Sequence, residues 1–168
     1  AVEAIYLDKE TANKPVMAIK DKKSYGSKSG AGVILSEGHG KDSVTYLAEG
    51  VVTGLSVRDA VHNERVIATL GKENFPNIDM ALLTNKVVLC LDNDGKPIKD
   101  DKAIILTIER LKQHGKTVEI AIPIQKKDFN DVNKSSGVQG VIDTLNKAVS
   151  IDKILGAANK IDVTQDQI

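Results

Sequence analysis

The sequence holds one cysteine, no tryptophan, three tyrosines and two phenylalanines. A lone thiol closes no internal disulfide and builds no zinc ribbon. Cys90 also lies in the apolar run Lys86-Val-Val-Leu-Cys-Leu91, where a thiol behaves as a small buried hydrophobe and a reducing compartment fits. Aromatics at 3% leave little for the stacking platforms on which many single-strand binders lay their bases. Charge of one sign is lacking as well: Lys plus Arg and Asp plus Glu stand at 23 each, so no global field draws polyanions and any nucleic-acid contact needs a local patch. No stretch reaches the roughly 18 consecutive apolar residues that would suggest a membrane span. The N-terminal Ala1-Val-Glu-Ala-Ile-Tyr6 has neither the basic nor the apolar region of an export signal, so a cytoplasmic protein without a membrane segment is expected. The chain starts without Met, and its first residues already read as a strand, which suggests a piece of a larger protein.

What is present suits a globular fold. With 168 residues, 41% of them hydrophobic and 27% charged, one compact domain can bury its core without disulfide or metal staples. Residues 1–43 read as a β-rich N-terminal extension, with short apolar or alternating runs at Ala4-Ile-Tyr-Leu7, Pro15-Val-Met-Ala-Ile19 and Ala31-Gly-Val-Ile-Leu35 separated by polar turns. From Val44-Thr-Tyr-Leu47 onward, helices alternate with strands, the rhythm of a mostly parallel sheet with crossover helices. Residues 44–132 are expected to form that α/β core. Gly54 to Asn63 reads as a helix, Arg65 to Leu70 as a strand and Asn77 to Thr84 as a short helix. Lys86 to Leu91 is the strongest strand, its unbroken apolar run suited to a sheet covered on both faces. Ile104, Ile105, Ile108 and Leu111 recur at helical spacing, with Gly115 as C-terminal cap, and Thr117 to Ile122 is a strand ended by Pro123. Residues 133–168 read as a helical tail, with a helix from Gly137 to Ala158 that buries Val141, Ile142, Leu145, Val149, Ile154 and Leu155.

Carboxylates follow three of these strands: Glu49 after the first, Asp92 and Asp94 after the second, Asp128 and Asp131 after the third. Ligands of open α/β sheets bind beyond the carboxyl ends of the strands, so these groups would converge on one crevice. Hard oxygen ligands select Mg²⁺ or Mn²⁺, which keep waters and are completed by substrate phosphates. A phosphate-handling site follows. Each cluster also has a plainer reading. Asp92-Asn-Asp-Gly95 is good turn chemistry, Glu49 could be an exposed strand end, and Asp128-Phe-Asn-Asp131 could be a helix cap or Asx-turn.

Order and context add to this. Leu47-Ala-Glu-Gly-Val-Val-Thr-Gly-Leu-Ser56, then Val87-Val-Leu-Cys-Leu-Asp-Asn-Asp-Gly95, then Lys127-Asp-Phe-Asn-Asp131 resemble the three successive motifs of Toprim domains, in particular those of phage and plasmid primases and of conjugative relaxases (mobilisation proteins). The Gly115 turn and the strand Val118-Glu-Ile-Ala-Ile-Pro123 match as well, and the resemblance runs from about Ala4 to about Leu145. It implies a Rossmann-like fold and a Mg²⁺-dependent nucleic-acid-processing domain, for nucleotidyl transfer or strand cleavage, in the bacterial cytoplasm. Its partners would be DNA in single-stranded form, or nucleotides, and other domains of a larger protein. Position by position, Glu49 matches the general acid or base, Asp92 and Asp94 the metal-binding pair, Asp128 and Asp131 the third acidic motif. The sequence departs in one place: many relatives continue Asp-Asn-Asp with Ala-Ala-Gly and an arginine, whereas here Gly95-Lys96-Pro97 follows. Lys96 then becomes the candidate phosphate contact, together with Lys126 and Lys127.

Other features carry less. The glycine-rich stretch Gly26-Ser-Lys-Ser-Gly-Ala-Gly32 lacks the Gly-Lys-Ser/Thr ending of a phosphate loop and reads as a turn, and Gly38-His-Gly-Lys-Asp42 fails the same pattern. Lys20, Lys22, Lys23 and Lys28 could meet a nucleic-acid backbone or form a solvated face. His39, His62 and His114 lack metal-ligand spacing. Two further classes stay open: a non-catalytic DNA-binding or assembly module that keeps the fold, and an unrelated Mg²⁺-dependent phosphatase, which would leave Glu49 and the third motif unexplained.

Overall fold

The computed structural model describes residues 2–5, 22–27, 29–39 and 42–154. Strands β1 (Val2–Ile5) and β2 (Lys22–Tyr25) pair antiparallel in a two-stranded sheet of their own. The run Pro15 to Ile19 lies outside the described residues, as do Lys20 and Lys28.

The main sheet has six strands. They are β3 (Val33–Glu37), β4 (Val44–Ala48), β5 (Arg65–Ala68), β6 (Lys86–Cys90), β7 (Thr117–Ala121) and β8 (Val149–Ser150), in the order β3-β5-β4-β6-β7-β8. The central four run parallel, and the edge strands β3 and β8 run antiparallel to them. Helix α1 (Val51–Ala60) links β4 to β5, and α2 (Lys102–Gln113) links β6 to β7. Helix α3 (Phe129–Leu145) follows β7. This is the mostly parallel, Rossmann-like α/β sheet with flanking helices that the alternating rhythm predicts.

The reason is legible strand by strand. Successive side chains point to opposite faces, so a strand covered on both sides must be apolar throughout. In β6, Val87 and Leu89 face a core completed by Phe75, Ile104, Ile108 and Leu111, while Val88 and Cys90 face Val57, Phe129, Val132 and Val141. Helix α2 is held on the first face by its Ile104-Thr107-Ile108-Leu111 stripe. Its start is set by the Asp101 carboxylate, which accepts from the backbone N–H of Ala103 at 3.2 Å and of Ile104 at 3.4 Å. Its end is set by Gly115 at φ 69°, a left-handed turn that glycine adopts without strain.

Three expectations are corrected. First, α1 starts at Val51, three residues before Gly54, and Gly54 lies inside it: a Cβ there would come within 2.6 Å of Leu35 Cδ1, so the glycine serves close packing of helix on sheet. Second, the expected helix Asn77 to Thr84 is two 3₁₀ turns, Lys72–Asn77 and Met80–Leu82, pinned by the buried Phe75, Ile78 and Leu83. Third, the helix expected from Gly137 begins at Phe129, capped by Asp128, breaks at Gly137 (φ 65°, ψ −172°) and ends at Leu145. The chain then forms β8 against β7, so Val149 is in a strand and 41% exposed. Val141 and Leu145 are buried as expected, and Leu155 lies outside the described residues.

Candidate functional site

The parallel order brings the carboxyl ends of β4 and β6 side by side. Ala48 pairs with Cys90 in the last rung, and the chains leave toward helices on opposite faces of the sheet. A crevice opens where neighbouring crossovers part in this way, and ligands of open α/β sheets lie there. Glu49 leaves β4 and Asp92 leaves β6 at this point, and the Glu49 Oε1 accepts the Asp92 backbone N–H at 3.2 Å.

The crevice is lined by Glu49, Asp92, Asp94 and Asp101, by Lys72 and Lys96, and by Leu91, Ile98, Ile104 and Ile122. Its two sides differ in charge. Burial, and then the charge of Asp92, push Glu49 up to about 7, against the Asp92 N–H and the Lys72 ammonium. Burial and the charge of Asp128 also raise Asp92, against a hydrogen bond from Thr53 (3.4 Å) and the Lys72 and Lys127 charges. On the other side, Lys72 Nζ lies 2.6 Å from Asp94 Oδ2 and 3.0 Å from Asp101 Oδ2. The Lys72 ammonium holds Asp94 below its ordinary range. In Asp101 the same ammonium and the Ile104 N–H outweigh burial and do likewise.

Asn93 stitches the Asp92–Asp94 turn to the loop after β7. Its backbone N–H donates to Lys127 O at 2.6 Å, and its Nδ2 donates to Pro123 O at 2.9 Å and Ile124 O at 3.2 Å. Gly95, at φ 75°, completes the turn, with its N–H given to Asn93 Oδ1 at 3.3 Å.

Asp128 and Asp131 do not line the crevice. Asp128 caps α3, with its Oδ1 accepting the Asp131 N–H at 2.8 Å, although its charge reaches Asp92. Asp131 stands in the first turn of α3. Lys126 and Lys127 are exposed on the loop between β7 and α3. Lys126 borders a larger cavity of about 460 Å³, floored by Ile120, Ile122 and Val132, which shares Ile98 and Ile122 with the crevice.

The donor chemistry suits a hard divalent cation: Glu49 and Asp92 are desolvated, mutually repelling carboxylate oxygens, and a bound cation would relieve both effects. As placed, however, no three His, Cys, Asp or Glu side chains among the described residues are gathered closely enough to hold a metal ion. Asp94 is turned to Lys72 instead.

Residues 44–139 match the family model described as "Toprim domain", which spans more than half of the chain. The chain belongs to the Toprim domain family. No curated protein matches it. Among solved structures, a DNA primase domain from Pseudomonas aeruginosa is similar, with a TM-score of 0.53 and 16% identity over 73% of this chain and 39% of that one. That likeness is one of fold, and this chain spans about two fifths of the primase chain.

Within this Toprim domain, the motif residues Glu49, Asp92, Asp94 and Lys96 share one crevice, whereas Asp128, Asp131, Lys126 and Lys127 do not line it, and of these Asp128 and Lys127 reach Asp92 by charge. Sequence reading missed Lys72, Asp101 and Asn93. The signal for Lys72 is its place in Gly71-Lys72 after β5, a strand that also ends at the crevice, although a lysine there carries no acidic motif. The remaining motifs stay local. Gly30 belongs to a turn whose N–H is held by Asn74 Oδ1 at 3.2 Å, and the His114 ring sits at the end of α2 against Arg110 O. No helix among the described residues is long and apolar enough to cross a membrane.

Proposed function

We propose that this Toprim domain performs Mg²⁺- or Mn²⁺-dependent phosphoryl transfer on nucleic acid, as nucleotidyl transfer or strand cleavage. We further propose that it does so as part of a plasmid conjugative relaxase or primase-like protein of the bacterial cytoplasm. The observation that carries this reading is the meeting of Glu49 with the Asp92 turn at the carboxyl ends of two adjacent parallel strands. Glu49, Asp92 and Asp94 would hold the metal, with Asp128 and Asp131 adding negative charge from the start of α3. When bound, the metal supplies charge neutralisation for a phosphate and polarises its oxygen.

The protein's own groups supply the rest. Glu49, pushed up to about 7 in the metal-free crevice by burial and the charge of Asp92, would release that proton as the metal binds and stand beside it as the candidate general acid or base. Thr53, which donates to Asp92, and the Asn93 turn, tied by its side-chain amide to Pro123 O and by its N–H to Lys127 O, would hold Asp92 in place. Lys96 from within the crevice, with Lys126 and Lys127 beside it, would meet backbone phosphates of single-stranded DNA or a nucleotide. The solved primase domain of similar fold is consistent with this class of work.

A second reading, a non-catalytic DNA-binding or assembly module, draws on one observation: Lys72 already neutralises Asp94 and Asp101 from within. Metal titration separates the two. Wild type should bind Mn²⁺, and Asp92→Ala with Asp94→Ala should abolish that binding while the fold persists. Absence of Mn²⁺ binding to wild type and to variants lacking the lysine would leave the module reading.

A further inference from the structure

Lys72 lies in none of the three acidic motifs, yet its ammonium sits at the centre of the crevice, against Asp94 Oδ2 at 2.6 Å and Asp101 Oδ2 at 3.0 Å, with a side chain only 21% exposed. A surface lysine that drifted onto a carboxylate would ride on a loose arm. This one rides on a built loop. The Thr69 N–H donates to Ala48 O at 2.9 Å and the Gly71 N–H to Glu49 O at 2.8 Å, tying the loop to the end of β4. The buried Asn74 side chain holds the far end through Thr69 O and Ala31 O, and the chain turns through Leu70 at φ 64° and Gly71 at φ 136°. The loop therefore delivers one cation to a fixed place.

That cation and a divalent metal compete for Asp94. The carboxylate accepts the Lys96 N–H at 3.0 Å through Oδ1, which leaves Oδ2 as the oxygen a metal would take, and Lys72 occupies it. Asp101 differs, because its Oδ1 is fixed as the cap of α2 and keeps the side chain in place whatever Lys72 does. A flexible lysine stem anchored at Asp101 can leave one partner and keep the other.

We propose that Lys72 is an internal counter-ion for Asp94, displaced when a divalent cation binds and passed, with Asp101 as its pivot, to a phosphate oxygen of the substrate. The proposal rests on the metal-dependent reading and gives Lys72 the phosphate contact that the motif pattern assigns to an arginine.

The test is Mn²⁺ titration of the full chain, followed by binding of a short single-stranded oligonucleotide at saturating Mn²⁺. Lys72→Met should tighten Mn²⁺ binding by about tenfold, because a like charge is removed, and weaken oligonucleotide binding. Lys72→Gln, which keeps hydrogen bonding without charge, should follow Met, and Lys72→Arg should follow wild type. A lysine with only a structural role would not raise metal affinity. Unchanged or weaker Mn²⁺ binding in both Met and Gln variants, with wild-type binding still dependent on Asp92, overturns the counter-ion role alone. No Mn²⁺ binding by wild type or by either variant overturns the metal reading and this proposal together.

Discussion

The two sides of the crevice use the same residue types to opposite effect. Glu49 and Asp92 leave adjacent strands, lose water and meet a neighbouring negative charge, Asp92 for Glu49 and Asp128 for Asp92, so both are raised above their ordinary values. Asp94 and Asp101 face Lys72 and stay ionised. What separates the sides is the loop opposite each carboxylate, since β5 delivers a lysine to one and a neighbouring anion meets the other. A pair raised above the ordinary carboxylate range beside a pair held below it is how environment assigns different tasks to like groups.

The largest test of this division is catalytic. On the metal-dependent reading, Asp92→Asn should lower kcat/KM on an oligonucleotide by about 10³-fold, on the scale of losing preorganised charge stabilisation. Asp101→Asn should cost about tenfold or less. Equal losses would erase the distinction.

Stability should split the sides by the sign of its pH dependence. The folded state holds the Glu49 proton up to about 7 against an ordinary 4.5, so the folded protein binds more protons and wild-type stability falls as pH rises through that window. In metal-free buffer, Glu49→Gln should be more stable than wild type by about 1–2 kcal/mol at pH 8, a figure reduced for solvent screening, and equal to it near pH 4. Asp101 runs the other way. Its folded value is depressed, so its contribution is present above the ordinary carboxylate range and is lost as pH falls through the folded value. Asp101→Ala, which also loses the α2 cap, should cost about 1–2 kcal/mol at pH 7, with the deficit narrowing in acid. Denaturant titrations across pH measure both, and parallel slopes would contradict the comparison.

The smallest effect lies outside the crevice. Lys126→Ala and Lys127→Ala should each weaken oligonucleotide binding slightly and reduce its salt slope by about 1, uniformly across sequences. A sequence-dependent loss would assign them base contacts instead of phosphates.

The sequence carries the parallel strands openly because burial on both faces demands unbroken apolar runs, and α2 because its isoleucines recur at helical spacing. Glu49, Asp92 and Asp94 follow from those strands, whereas Asp101 does not. The start of α3 is hidden: Asn130, Ser135 and Ser136 are weak helix formers, and the helix is held there by the burial of Phe129 and Val132, which local pattern does not reveal. Strand β8, two residues long, exists only through its pairing with β7. Gly54 misled as a boundary because its cause, the side chain of Leu35, lies in another strand. The position of Lys72 follows from the end of β5, whereas its pairing with Asp94 and Asp101, carboxylates carried by another loop, does not.

The ladder between β4 and β6 ends at Ala48 and Cys90, so Glu49 and Asp92 lie just past the last rung and outside the parts that fold the sheet. Inheritance acts differently on the two. Drift in the strands would be purged because the chain fails to fold, whereas, on the metal-dependent reading, a single codon change at Glu49 or Asp92 would leave a domain of the same outline without its chemistry. Across such lineages, on that reading, shape would record descent and these few side chains would tell working members from relics.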